Sequence, residues 1–149
     1  MATLGFEYYS GPVNIISALE ADSQSFVAGD LLYLDSGAAT LATTSQETQI
    51  FGVALKNATN VTTGNAAIPI LVICPETLFV AQADTTTAVT QVGEDYGLNY
   101  TSGSMSVDIG DTTSTSVRIE ALDSRDAVGT SGGRAIVRFQ PATMQFMAT

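Results

Sequence analysis

From Phe26 onward the apolar residues of this chain fall at alternate positions or in runs too short for a helix, and Gly- or Asp-rich breaks separate them. A period of two puts successive side chains on opposite faces of an extended strand, so the spacing predicts half-buried antiparallel strands. Thr115 to Leu122 sets Val117, Ile119 and Ala121 against Arg118 and Glu120, and Arg134 to Gln140 sets Ala135, Val137 and Phe139 against Arg134, Ile136 and Arg138. Leu31 to Leu34 follows the turn-like Ala28-Gly29-Asp30 and ends at Asp35-Ser36-Gly37, while Gln49 to Leu55 follows the polar Thr43 to Thr48. Ala66 to Cys74 and Leu78 to Ala83 flank Pro75-Glu76-Thr77, which reads as a tight hairpin connection. Pro69 puts its strand at a sheet edge, or starts the strand after it. Tyr96 to Tyr100 and Ser104 to Asp108 bracket Thr101-Ser102-Gly103, a second hairpin spacing. The longest loop signal is Asp123 to Gly133, and one short helix is expected over 85–92, capped by Asp84 and closed by Gly93.

No internal repeat is read from the sequence. The fold class expected is all-β, a single-domain antiparallel β-barrel, β-tulip-like, or sandwich over residues 26–149, with at most one short helix. Residues 1–25 read as an extended N-terminal arm, in which Phe6, Tyr8 and Tyr9 cluster before Gly11-Pro12 and a modest apolar stretch, Val13 to Leu19. Aromatic side chains are enriched at interfaces, so these three are the expected contact residues.

Composition then narrows the function. The chain has no His, one Cys (Cys74), one Lys (Lys56) and no Trp, while twenty Thr, nineteen Ala and thirteen Ser fill about a third of its 149 residues. The commonest general base and metal ligand is missing, as is any pair of thiols, so most hydrolase and metal-site chemistry has no residues to work with. Apolar content of 45% with 13% charged residues is enough to build a core and argues against wholesale disorder. Fifteen carboxylates against five basic groups give a net charge of −10, which repels phosphate backbones and anionic membranes. Neither nucleic acid nor a membrane is an expected partner. The start, Met1-Ala-Thr-Leu-Gly-Phe-Glu, carries no basic and apolar signal pattern, and a lone Cys gives no disulfide framework, so synthesis in a reducing cytoplasm is expected. The triplets at Asn57, Asn60 and Asn99 read as Asn/Thr turns in that setting.

The sharpest local motif is Leu32-Tyr33-Leu34-Asp35-Ser36-Gly37-Ala38. Two apolar residues before Asp-Ser-Gly-Ala is the way aspartic proteases present a carboxylate, and retroviral-type enzymes take one such Asp from each chain of a dimer. A dimeric aspartic protease using Asp35 is therefore the alternative reading. It lacks a Gly-rich flap pattern, and Gly133-Arg134 is not preceded by the apolar residues such an enzyme carries. Asp, Ser and Gly are also the ordinary formers of a turn after a strand. Asp108 with Asp111 and Asp123 with Asp126 are carboxylate pairs without the graded spacing of a calcium loop, and they read as solvated turn residues. Cys74 reads as a small hydrophobe and Lys56 as a surface residue. A tail or fibre module that binds carbohydrate would have to use Tyr33, Tyr96 or Tyr100 as its stacking platform. No cofactor and no metal is expected, and the chain reads as non-enzymatic.

The order of elements resembles that of the head decoration, or cement, proteins of tailed bacteriophages. The resemblance is carried by Leu4-Gly-Phe6-Glu-Tyr8, by Phe26-Val-Ala-Gly-Asp30-Leu-Leu-Tyr-Leu34 and its Ala/Thr-rich loop, and by Ile50-Phe-Gly-Val-Ala-Leu55 with the strand pair around Pro75. Val92-Gly-Glu-Asp-Tyr-Gly-Leu98, Val117 to Asp123 and Ala135 to Phe139 complete it. The resemblance implies a virion protein on the capsid exterior that reinforces contacts between major capsid subunits. It also implies a homotrimer, an N-terminal arm that takes part in the contact, and no catalytic residues.

Overall fold

The computed structural model describes residues 5–63, 65–101 and 103–145. Its strands are β1 (Glu7–Ser10), β2 (Ile15–Leu19), β3 (Leu31–Asp35), β4 (Ala38–Leu41), β5 (Gly52–Ala54) and β6 (Ala67–Val72). They continue with β7 (Leu78–Gln82), β8 (Asp95–Thr101), β9 (Ser104–Asp108), β10 (Val117–Leu122) and β11 (Arg134–Phe139). All strand pairs are antiparallel, and they form a five-stranded sheet, β2-β6-β5-β3-β4, and a six-stranded sheet, β1-β7-β11-β10-β8-β9. The all-β architecture expected from the sequence is the one adopted, as two curled sheets around one core and not one continuous barrel.

Apart from β1, the two sheets are the same design used twice. Replacing β2 to β6 by β7 to β11 in sequence turns the order β2-β6-β5-β3-β4 into β7-β11-β10-β8-β9. The register repeats with it. Ile15↔Leu71 to Leu19↔Ala67 in the first unit corresponds to Leu78↔Arg138 to Gln82↔Arg134 in the second, and the hairpin pair Asp35↔Ala38 corresponds to Thr101↔Ser104. Each five-stranded unit curls until the end of its first strand meets its last strand at one parallel bridge, Glu20↔Ala39 or Ala83↔Val107. The bonds at these seams match too: Glu20 N to Ala66 O and Ala21 N to Ala39 O are answered by Ala83 N to Gly133 O and Asp84 N to Val107 O, all at 2.9 Å. Each unit closes on a buried threonine, in Pro75-Glu76-Thr77 and Pro141-Ala142-Thr143, whose N–H donates to the carbonyl of Cys74 or Gln140. The expectation of no repeat is thus corrected, because the repeat lies in the hydrogen-bond pattern and few side chains are shared.

The two units share one hydrophobic core. Leu31, Ile50, Val53, Leu71 and Ile73 of the first pack with Phe79, Leu98, Val117, Ile119, Val137 and Phe139 of the second. Phe139 is its centre, with Phe6 at 5.4 Å on one side and Phe79 edge-on at 5.4 Å on the other. A smaller cluster of Phe26, Leu32, Phe51, Ile68 and Ile70 fills the first unit. Two straps join the units. Phe6 N donates to Gly29 O at 2.7 Å, an approach close enough that a Cβ on Gly5 would stand 2.6 Å from the Gly29 backbone. At the other end Met144 bridges Ile50, and the Gln145 amide makes two 2.8 Å bonds to the Leu34 backbone.

Four expectations change. Pro75 to Thr77 is no hairpin, since it carries the chain from β6 in one sheet to β7 in the other. Pro69 lies in β6, a central strand, at the point where β5 has ended and Leu55 N takes up its carbonyl. No helix forms over 85–92. Thr85 to Thr87 bond instead to the loop before β11, through Thr87 N to Thr130 O and Gly132 N to Thr85 O, which leaves a 3₁₀ turn at Val89–Gln91. A bulge after Ile119 shifts the register of β10, so that Ala121 leaves the core face. The described part of the 1–25 arm lies in the sheets, with β1 paired to β7 and β2 to β6.

Phe79 and Ile16 hold equivalent positions in the two units, yet Phe79 is fully buried and Ile16 is 45% exposed. Urea unfolding should therefore show Phe79→Ala costing about 3–5 kcal/mol and Ile16→Ala about 0.5 kcal/mol or less.

Candidate interaction surface

Eleven large apolar side chains are exposed among the described residues, and six of them (Tyr8, Tyr9, Val13, Ile15, Ile16 and Leu19) lie within residues 8–19. That stretch contains no charged residue, although the chain carries net −10. Scattered exposed apolar residues are ordinary, but a concentrated patch marks a contact surface.

β1 forms a ridge between two grooves. On one side, Val53 and Leu71 floor a groove of about 330 Å³ rimmed by Tyr8 and the exposed Leu55. On the other, Val80 and Ile136 floor a groove of about 550 Å³ walled by Tyr9 and the Asp123–Arg125 pair. Tyr8 is oriented by its own hydroxyl, which donates to Gly11 O at 2.7 Å. Of the three expected contact residues, Tyr8 and Tyr9 are exposed, at 43% and 53%. Phe6 is corrected. Its ring is buried against Phe139, because β1 inserts its first aromatic into the shared core.

Asp35 is the last residue of β3, exposed, and opposite Ala38 in the β3–β4 hairpin. Ser36 and Gly37 take φ of 52° and 85°, the two positive values a type I′ two-residue turn requires. Gly103, at the matching hairpin of the second unit, also has φ 85°, so the Asp-Ser-Gly motif has a complete structural account as a turn. Ser102 of that second turn lies outside the described residues. Asn99 is corrected from turn to strand β8, while Asn57 caps Ala28 N and Asn60 takes a positive φ. Tyr96 is buried, and Tyr33 and Tyr100 pack against the core, which leaves none of the three as an open stacking platform. Cys74 is half-buried with Sγ 2.9 Å from the Thr77 hydroxyl, and Lys56 is exposed.

All four arginines are used inside the chain. Arg118 holds Asp95, Arg125 holds Asp123, Arg134 holds Asp126 and Arg138 holds Glu120, at 2.5 to 2.8 Å. The carboxylates of the 123–126 loop therefore already have cationic partners. Asp111 is satisfied differently, by the N–H groups of Ser114 and Thr113 and the Thr113 hydroxyl. No group of three or more potential metal ligands is assembled among the described residues. Nor is any helix there long and apolar enough to cross a membrane. The surface outside residues 8–19 is consequently acidic, with the charge of its arginines tied up internally. No protein-family model matches the chain, and no curated protein shows significant similarity to it.

The hydrogen bonds from Ser114 and Thr113 pull the Asp111 carboxyl down to about 2, and those from Arg134 do the same for Asp126. Groups depressed from 3.8 stabilise the fold fully above that value and lose the contribution as pH falls towards 2. Urea midpoints should therefore stay flat from about pH 7 to 5 and fall between roughly pH 4 and 2. Asp111→Asn should make that acid limb shallower.

Proposed function

We propose that this chain is a structural binding protein that decorates the exterior of a bacteriophage head, with the uncharged surface of residues 8–19 as its main contact. The observation that carries the reading is the segregation of its surface. Exposed apolar side chains gather on β1 and β2, while carboxylates dominate elsewhere and every arginine is paired within the chain. Such a protein stays soluble alone, because its charge keeps copies apart, and it binds by burying one neutral face. The choice of a phage head as the partner comes from the order of elements along the sequence. A homotrimer spanning neighbouring major capsid subunits belongs to the same reading, since multiple weak contacts per assembly multiply in effect. Asp35 needs no catalytic role in it, because the hairpin turn accounts for Asp35-Ser36-Gly37.

The test is cosedimentation of the full chain with empty shells assembled from the major capsid protein of the virus that encodes it. Saturable binding is expected, weakened about tenfold or more by the double substitution Tyr8→Ala with Tyr9→Ala. Loss of binding in Asp35→Asn, or no binding by the wild-type chain, would overturn it.

A further inference from the structure

A second patch of exposed apolar side chains lies outside residues 8–19, on two loops of the second unit. Val89 and Val92, on the segment 85–93 between β7 and β8, are 67% and 41% exposed, and Val128, on the segment 127–133 before β11, is 59% exposed. Neither segment holds a charged residue, in a chain with fifteen carboxylates and five basic groups. The ionic side chains stop at the ends of the segments, at Asp84 and Glu94 on one and at Asp126 and Arg134 on the other.

The two loops are laced into one surface. Thr87 N donates to Thr130 O at 3.2 Å, and Gly129 N to Thr87 O and Gly132 N to Thr85 O at 3.0 Å, while Thr86 bridges Ser131. The valines also stand on closed turns. Thr130 N and its hydroxyl both donate to Ala127 O, which holds Val128 within the turn. The buried Gln91 side chain accepts from Ala88 N and donates to Thr86 O, and Val92 N closes on Val89 O. A surface braced in this way loses little conformational freedom when it is covered.

Charge selects what covers it. A cationic partner is drawn to carboxylates, and these segments offer none. Two copies of a chain of net −10 repel wherever carboxylates face carboxylates, so they approach most closely where neither surface carries charge. We propose that 85–93 and 127–133 form the contact between copies of this chain, with the exposed valines of one copy buried against the same loops of its neighbour. The exposed hydroxyls of Thr85, Thr86 and Thr90, on the first of these segments, supply donors and acceptors that need no counter-charge. The inference rests on the shell-binding reading in one respect, that residues 8–19 are left to the shell. The chain then has one neutral face for its copies and another for the shell.

Sedimentation equilibrium of the full chain tests it. The wild type should self-associate at about 100 µM, more tightly at high salt, which screens the repulsion of the acidic bodies. Val89→Asp combined with Val128→Asp puts a carboxylate on each loop and should raise the dissociation constant about tenfold or more. Val27→Asp, at an exposed valine of the first unit, should leave it unchanged. Should the double aspartate variant unfold, Val89→Ser with Val128→Ser carries the test, since it removes apolar area without adding charge and should weaken association in the same direction. A wild type that stays monomeric at on the order of 100 µM in high salt would overturn the inference. So would an oligomer that both valine variants leave intact. Shell cosedimentation is a separate readout: a chain that associates through these valines and binds no shell keeps this inference and loses the shell-binding reading.

Discussion

Every sheet has edges, and an edge is a row of backbone donors and acceptors that must be satisfied by something. Most of this structure answers that requirement. Each five-stranded unit curls until its seam closes on one parallel bridge, Glu20 to Ala39 or Ala83 to Val107. The curl also creates the concave faces that the shared core fills. Phe139 can sit between Phe6 and Phe79 because both sheets turn their inner faces to the same volume. β1 then covers β7 from Leu78 to Val80, while Ile15 to Ser17 of β2 and the outer side of β1 are left at sheet edges.

The two seams are built alike in backbone and differ in chemistry. At the first, Glu20 is buried. Burial alone would push its carboxyl up, but bonds from the Thr59 hydroxyl and N–H and from Ala66 N–H outweigh that and hold it below its ordinary value. At the second, the equivalent residue is Ala83, and the space beside it is a polar hollow of about 320 Å³ lined by Gln82, Asp84, Asn99 and Ser106. A duplicated backbone leaves such freedom because the ladder needs no particular side chain. The same freedom lets β7 be covered by β1 within the chain while Ile15 and Ile16 of β2 are exposed.

Much of the fold was legible in the sequence. The alternation in β10 and β11 and the turn residues at Ser36-Gly37 located strands and hairpins, because period two and positive φ leave marks on residue choice. What was illegible was long-range. The helix over 85–92 lost to pairing of Thr85–Thr87 with a loop more than forty residues away, which no local propensity reports. The repeat was hidden because register and bridges recur while side chains such as Ser17 and Val80, or Glu20 and Ala83, do not. At the surface, the aromatic cluster lies at the start of the segment where exposed apolar side chains gather. Only the fold separates Phe6, which enters the core, from Tyr8 and Tyr9, which do not. Val13 to Leu19 read as a modest apolar stretch, and its exposure follows from sheet order alone.

The central claim is that one duplicated design has one sealed edge and one open edge, and residue-resolved amide hydrogen exchange measures this directly. In dilute protein the outward amides of Ile15 and Ser17 should exchange at least about a hundredfold faster than those of Leu78 and Val80. Equal protection of the two strands in dilute protein would contradict the account, because β2 would then be sealed within the single chain.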